Sequence, residues 1–230
     1  MTAACSPVAA GLDPGAPPLQ VRRLGRRPYD EVLALQESLL AGVAAGEPET
    51  LLLLEHPPVY TLGRGADAAD LRGAPERLGV PCFRVGRGGG ATFHGPGQLV
   101  AYPIVRLRGA GRDVSGYVCA LERALIDTCD AFGVAAGAPS GQIGVWVGER
   151  KIGSVGIGVR RGVAYHGIAL NVATDLSYFD AITVCRSDGL RLANLGELCG
   201  SAPSLDAVGD AFAQALAARL ARPLAEVPWR

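Results

Sequence analysis

Two residues of this chain have the chemistry needed to make and break covalent bonds. Cys185 is the one cysteine of six that falls in a polar loop beside an arginine, and a neighbouring cation favours the reactive thiolate. Lys151 is the only lysine among 22 basic residues, the other 21 being arginines. An amine can lose its proton whereas a guanidinium cannot, so this lone lysine indicates proton transfer. Residue type by itself also leaves open an inert loop thiol and a lysine retained by chance.

The glycine-rich stretch from Arg87 to Gln98 is the clearest local signal for a binding loop. Its five glycines and one proline allow close backbone approach to a ligand and positive φ angles. Arg87 adds a fixed charge and His94 a titratable ring, which suits a carbonyl, carboxylate or phosphate guest. A flexible connector is the alternative. However, the polar residues occur singly and not as a Ser/Gly repeat, and an apolar run follows at once.

Several familiar catalytic and nucleotide-binding motifs are absent from the sequence. No Gly-x-Ser-x-Gly elbow is present, so a Ser-His-Asp triad has no support. The glycine-rich stretch matches neither Gly-x-Gly-x-x-Gly at the start of a helix nor Gly-Lys-Ser/Thr, which disfavours a phosphate loop. His166 lies in an alternating strand pattern, where either a core histidine or a functional one is compatible with the sequence.

The charge balance excludes recognition through a global electrostatic field. The 230-residue chain carries 22 basic and 22 acidic side chains, so no net charge draws it to nucleic acid or an anionic membrane. Although 49% of the residues are hydrophobic, no apolar run approaches the length of a membrane span. These bounds predict a soluble protein with a sizeable core and one domain.

The N-terminal segment and the cysteines indicate the cellular compartment. Residues 1–18 are rich in Ala, Pro and Gly without the basic start and apolar centre of a secretory signal, and we expect a disordered leader there. The six cysteines form no Cys-x-x-Cys pair and show no zinc-ligand spacing. We therefore expect free thiols and a cytoplasmic location.

Apolar periodicity predicts an α+β domain over residues 19–230, with a mixed β-sheet flanked by helices. Three amphipathic helices are expected: one from Tyr29 to Gly46, one capped by Ser115 and stopped by Gly133, and one capped by Ser204 and ending before Pro223. Strands are expected at 51–54, 59–62, 81–85, 99–105, 143–147, 151–159 and 163–172. Pro103 must lie at a strand end or a bulge, because it cannot donate to a ladder.

Five motifs in one order resemble the octanoyltransferases of lipoate biosynthesis, in the superfamily of lipoate and biotin protein ligases. They lie within about residues 20–222 and comprise Glu55–Arg64, Arg87–Pro103, Gly144–Trp146, Lys151–Gly156 and His166–Val172. The resemblance implies the biotin/lipoate protein ligase-like fold. Two departures are visible: Val184 and Arg186 flank Cys185 where the family has proline and glycine, and Gln142–Gly144 replaces the usual Gly-Arg-Thr-Gly.

The resemblance assigns roles to particular positions. Lys151 and Cys185 correspond to the catalytic pair of that family. The substrate-binding residues that it implies are Arg87, Gly88, Gly89, Gly90, Ala91, Thr92, Phe93, His94, Ser154, Val155, Gly156, Gly167, Ile168 and Ala169.

The resemblance also implies an activity and partners. We expect transfer of octanoyl from octanoyl-acyl carrier protein to a lysine of a lipoyl domain through an octanoyl-cysteine thioester, the first step of endogenous protein lipoylation. The implied acceptors are the E2 subunits of 2-oxoacid dehydrogenases and the glycine cleavage H protein. No metal or other cofactor is implied, and we expect a monomer that binds neither nucleic acid nor membrane.

Two other functions remain open at this point. A lipoate or biotin ligase would activate a free acid with ATP and would need no cysteine nucleophile. A non-catalytic binding protein on the same fold would need neither Lys151 nor Cys185.

Overall fold

The computed structural model describes residues 17–72, 79–107, 113–183 and 190–228. Its strands are β1 (Leu19–Arg26), β2 (Thr50–Glu55), β3 (Val59–Leu62), β4 (Cys82–Arg84), β5 (Ala91–His94), β6 (Gln98–Arg106), β7 (Val145–Val147), β8 (Arg150–Arg160), β9 (Val163–Asn171), β10 (Arg191–Leu192) and β11 (Leu224–Glu226). Its α-helices are α1 (Tyr29–Ala45), α2 (Val114–Ala131), α3 (Leu195–Leu198) and α4 (Leu205–Leu220), and 3₁₀ turns cover Ala68–Asp70 and Leu176–Ala181.

The described strands form two mixed sheets. The larger has the order β10-β8-β9-β6-β2-β1-β11, with β7 beside β8. Its pairs from β2 through β6 and β9 to β8 are antiparallel, whereas β1 pairs parallel with both β2 and β11. The smaller sheet has the order β4-β3-β5. The α+β architecture with a mixed sheet flanked by helices, predicted from the sequence, is confirmed.

The larger sheet is covered on both faces, which explains the uninterrupted apolar run in β2. Leu51 and Leu53 pack with buried residues of α2 and α4, while Leu52 and Leu54 pack with those of α1. Successive side chains of a strand point to opposite faces, so an interior strand between two helical layers must be apolar at every position. Burial of each such leucine stabilises the fold by roughly 1.5–3 kcal/mol.

The predicted helices agree with the structure, except at one cap. Helix α1 ends where Gly46 adopts φ 108°, and Ser204 caps α4 by accepting the Ala207 N–H at 3.2 Å. The prediction that Ser115 caps α2 is wrong. Asp113 is the cap, because its carboxylate accepts the Gly116 N–H at 2.7 Å, and Ser115 already lies in the first turn.

Strand predictions differ from the structure mainly at their ends. The strand expected over 143–147 begins only at Val145, because Gly144 has φ 124° and turns the chain into β7. The strand at 59–62 pairs in the smaller sheet rather than with its predecessor. Strands β8 and β9 form a hairpin, with positive φ at both Arg161 and Gly162, as a two-residue type I′ turn requires.

The expectation that Pro103 lies at a strand end or a bulge is wrong, because it lies inside β6, where it interrupts the ladder to β9. Paired positions end at Ala101 with Ile168 and resume at Val105 with Ala164. Opposite the gap, His166 has φ 58°, and its backbone N–H donates to Gln36 Oε1 of α1 at 2.9 Å. Because the pairing is interrupted here, the His166 N–H donates to a side chain of the helix layer instead of to β6.

The described residues also test the expectations about membrane spans and free thiols. Over the described residues, no helix is both long and apolar enough to cross a bilayer. Cys129 and Cys199 carry free thiols, but Cys119 is disulfide-bonded, so the expectation of free thiols is wrong at that position. The predicted leader lies largely in residues 1–16, outside the described ranges, and stays a prediction.

Replacing Gln36 with leucine will test the role of its hydrogen bond to the His166 backbone N–H. Gln36 is fully buried, and Gln36→Leu leaves the His166 N–H without its acceptor. We expect the free energy of unfolding to fall by about 1–3 kcal/mol in urea denaturation. The control is Glu37→Gln at the neighbouring position, whose side chain is 53% exposed, and which should change stability little. Equal stability of Gln36→Leu and wild type would contradict the assignment.

Candidate active site

Lys151 lies near the start of β8 and is 3% exposed. Its Nζ donates to the Ile143 carbonyl at 3.0 Å and lies 5.6 Å from the ring centroid of Trp146. A buried ammonium needs such partners because removal of its hydration shell is costly, and the aromatic face adds a cation–π attraction. The amine is therefore held at a defined position instead of sampling solvent as a surface lysine does.

Gly144 makes room for this amine. A Cβ at this position would lie 2.7 Å from Cε and 3.0 Å from Nζ of Lys151, and 2.6 Å from the Gly153 carbonyl oxygen. Its φ of 124° is also one that other residues rarely adopt. The glycine of the Gly144–Trp146 motif is thus required by the packing of the lysine.

Glu122 of α2 is a neighbour of Lys151 that sequence reasoning missed. Its Oε1 accepts the Gly144 N–H at 2.8 Å. Partial burial raises the pKa of the Glu122 carboxyl, while the Gly144 N–H, Lys151 and Arg123 act in the opposite direction. One signal was present in the sequence. Glu122 lies four residues after Val118 and three before Leu125, so an acidic side chain interrupts the apolar stripe of the helix.

Arg87 anchors the glycine-rich loop. Arg87 is 8% exposed, and its guanidinium donates to the Thr61 carbonyl and hydroxyl oxygens, both at 2.8 Å, and to the Gly88 carbonyl at 3.0 Å. Its side chain also passes close to β8, where a Cβ at Gly156 would lie 3.2 Å from Arg87 Cδ. The residue predicted to bind substrate is thus engaged in fixing the loop between β3 and β8.

The rest of the loop is tied down by its backbone and by aromatic packing. The Gly89 and Gly90 carbonyls accept N–H groups of Gly65 and Gly63, both at 3.1 Å. Ala91 and Thr92 then enter β5, where they pair with β3. Phe93 stacks on Tyr178 with ring centroids 4.6 Å apart, so the loop continues directly into a packed strand.

The structure brings the predicted binding residues of β8 and β9 beside this loop. Gly88 donates its N–H to the Ile157 carbonyl at 2.8 Å. Ser154, Val155 and Gly156 pair with Ala169, Ile168 and Gly167 in that order. Although β8 is an interior strand, residues 154–156 are only half-buried, which leaves this part of the sheet accessible. Lys151 lies three residues earlier on the same strand, about 10 Å along it.

All three histidines of the sequence are buried near the loop. His94 donates from Nδ1 to Gln98 Oε1 at 2.8 Å, because the Gln98 amide nitrogen is used by other acceptors. His56 donates from Nδ1 to the Arg27 carbonyl at 2.7 Å, so its Nε2 accepts from the Tyr102 hydroxyl at 3.0 Å. Within the described residues, neither ring nitrogen of His166 has a hydrogen-bond partner.

Burial keeps these rings neutral. Loss of solvent lowers the pKa of His56 to about 4 and that of His94 to about 3, where His56 and Arg87 contribute further. Burial, followed by the charge of Arg87, lowers the pKa of His166 to about 3. Neutral imidazoles next to a fixed guanidinium avoid like-charge repulsion.

Cys185 lies in residues 184–189, outside the described ranges, but both flanking segments are fixed. On one side the Thr183 N–H donates to the Asp70 carbonyl at 2.7 Å, and a Cβ at Gly90 would lie 3.4 Å from Asp70 Oδ2. On the other side Leu192 pairs with Lys151, whose carbonyl accepts the Ala193 N–H at 3.0 Å. The described chain therefore stops beside the glycine-rich loop and resumes beside Lys151.

Comparison with known proteins identifies the family of this chain. Residues 28–217 match the family described as lipoyl protein ligase A/B catalytic domain. An octanoyltransferase of Solibacter usitatus is 48% identical over 198 residues, 84% of this chain and 88% of that protein. An octanoyltransferase of Chromohalobacter salexigens is 40% identical over 210 residues, 91% of this chain and 94% of that protein.

Solved structures agree on the fold. A lipoate-protein ligase A bound with ATP has a TM-score of 0.80 at 20% identity, with 93% of this chain and 90% of that chain covered. A biotin protein ligase from Aquifex aeolicus has a TM-score of 0.53 at 11% identity, with 89% and 69% covered. The predicted biotin/lipoate protein ligase-like fold is confirmed.

The family match and the fold therefore define a catalytic domain of the lipoyl protein ligase A/B class. Within that class the chain belongs to the octanoyltransferase family, and it is an acyltransferase. The resemblance drawn from the five sequence motifs is confirmed.

The neutral histidines predict acid lability. Unfolded histidines become protonated below about pH 6.5, whereas the three folded rings stay neutral to about pH 3–4, so the unfolded state binds more protons in this window. Unfolding free energy should fall as pH drops from 7 to 5, by up to about 1.4 kcal/mol per pH unit for each ring. Urea denaturation at fixed pH values measures this slope, and His94→Gln should make it shallower. Stability that does not change between pH 7 and pH 5 would contradict the burial of neutral rings.

Proposed function

We propose that this chain transfers an octanoyl group from an acyl carrier protein to a lysine of a lipoyl-carrier domain, through a thioester on Cys185. In this proposal Lys151 and Cys185 are the catalytic residues. The acyl thioester binds between the glycine-rich loop, residues 87–94, and the half-buried strand residues 154–156, with residues 167–169 on the neighbouring strand.

In the first step the Cys185 thiolate attacks the carbonyl carbon of the donor thioester. A new carbon–sulfur bond forms, the bond to the sulfur of the carrier breaks, and the departing thiolate takes a proton from the Lys151 ammonium. The products are octanoyl-Cys185, the free carrier thiol and a neutral Lys151 amine. The acyl group remains activated as a thioester, so the step needs no ATP.

In the second step the neutral amine of the acceptor lysine attacks the octanoyl-Cys185 carbonyl. An amide bond forms, the carbon–sulfur bond breaks, and the proton lost by the acceptor returns to Lys151. The thiolate and the ammonium are thereby restored as an ion pair. An arginine could provide the charge but not the exchange of the proton.

The observation that supports the proposal most is the location of the buried amine. Lys151 pairs with Leu192, two residues after the point where the described chain resumes beyond the segment that contains Cys185. Asp70, which holds the other end of that segment through Thr183, approaches Gly90 of the loop. The described residues on both sides of that segment therefore contact elements of the proposed site.

Intact-mass analysis after incubation with octanoyl-carrier protein tests the covalent step. We expect an octanoyl adduct on the wild-type chain that Cys185→Ser abolishes, because the serine hydroxyl is a far weaker nucleophile than a thiolate. Cys199→Ser, which removes a free and partly accessible thiol, is the matched control and should retain the adduct.

Three outcomes would overturn the proposal. Absence of any adduct on the wild-type chain, together with acyl transfer from free octanoate that depends on ATP, would indicate a ligase. An adduct that persists in Cys185→Ser would place the nucleophile elsewhere. Carrier binding without acyl transfer would indicate the non-catalytic alternative.

A further inference from the structure

One peptide unit lies between the Glu122 carboxylate and the Lys151 amine. The carbonyl of Ile143 and the N–H of Gly144 belong to the same planar peptide, and no peptide bond among the described residues is cis. Its carbonyl accepts from Lys151 Nζ at 3.0 Å, and its N–H donates to Glu122 Oε1 at 2.8 Å. The two polar groups of a trans peptide point in opposite directions, so the side chains hold it from both sides.

This arrangement transmits charge as well as position. When a carboxylate accepts a hydrogen bond from a peptide N–H, the carbonyl oxygen of the same peptide becomes more negative, because consecutive hydrogen bonds polarise one another. A more negative carbonyl in turn binds an ammonium more strongly than a neutral amine. The effect is larger at low dielectric, and Lys151 is 3% exposed while Glu122 is half-buried.

We infer that Glu122 is a positioning residue for the acyl transfer: through the Ile143–Gly144 peptide it fixes Lys151 Nζ and favours its protonated form. The inference rests on the proposed role of Lys151 as the proton carrier. Glu122 itself touches neither the reacting atoms nor, in this assignment, the substrate.

The surrounding charges are consistent with this role. Arg123 on the same helix and Lys151 from β8 are the cations that act on Glu122. Trp146 of β7 presents an aromatic face to the amine and no titratable group. Arg150, next to Lys151, is paired with Glu197 at 2.6 Å. Among these groups Glu122 is the acid linked to the amine through a single peptide.

The sequence itself supplies a direct probe. Lys151 is the only lysine, so protein labelled with ¹³C,¹⁵N-lysine gives one lysine side-chain NMR signal, and its change with pH reports this amine alone. Glu122→Gln keeps an oxygen acceptor for the Gly144 N–H and removes the charge. Glu149→Gln removes the same charge from an exposed turn two residues before Lys151, and is the matched control.

We expect Glu122→Gln to lower the pH at which the Lys151 signal titrates by about one unit, and Glu149→Gln to leave it near the wild-type value. In turnover assays the high-pH limit of kcat should move down by the same amount, with KM for the acyl donor little changed. Glu122→Ala, which also removes the acceptor, should show at least the same displacement.

An unchanged Lys151 titration in Glu122→Gln would overturn the inference, even if Glu122→Ala were destabilised, because the contact would then be structural only. The NMR titration is independent of activity. A displaced titration in a protein that forms no octanoyl-cysteine would refute the proposed function and leave the coupling intact. An octanoyl-cysteine adduct that forms normally, together with an unchanged Lys151 titration, would leave the proposed function intact and refute the coupling.

Discussion

Burial of the single lysine is the constraint on which the rest of the site depends. An ammonium in a protein interior is stable only with fixed polar partners, and the chain provides a carbonyl, an aromatic ring and an acid linked through one peptide. Each partner comes from a different element: the turn before β7, β7 itself and helix α2. The packing of α2 on the sheet is therefore also what sets the electrostatic surroundings of the amine.

The glycine-rich loop that begins at Arg87 is also held by fixed polar contacts. Arg87 uses its hydrogen bonds on Thr61 and Gly88, so its charge is held beside β8 before any ligand arrives. The three buried histidines stay neutral and do not compete with that charge. A guanidinium that is fixed in advance requires little reorganisation when a ligand binds beside it.

The sequence allowed prediction of the features that depend on local pattern. The burial of β2 on both faces and the end of α1 at Gly46 follow from an uninterrupted apolar run and from backbone freedom at a glycine. The cap of α2 was missed because Asp113 and Ser115 are both good capping residues within two positions of each other. The location of Pro103 could not be foreseen, since a proline in an interior strand is tolerated only because His166 turns and Gln36 reaches in from another layer.

Glu122 illustrates a different limit of prediction from sequence. Its departure from the apolar stripe of α2 is visible in the sequence, but its partner is a backbone N–H more than twenty residues away. Periodicity cannot predict such a contact, because it depends on how the helix packs against the sheet. For Cys185 residue type and family resemblance carry the assignment, supported by the fixed segments on each side.

The rate of octanoyl transfer by Lys151→Arg tests the role of the lysine most directly. Arginine retains the positive charge of the lysine but cannot exchange a proton at neutral pH. With thermal melting used to verify that the variant is folded, we predict a fall in multiple-turnover kcat of at least about a hundredfold. Wild-type turnover by Lys151→Arg would contradict proton transfer by Lys151, because charge alone would then be sufficient.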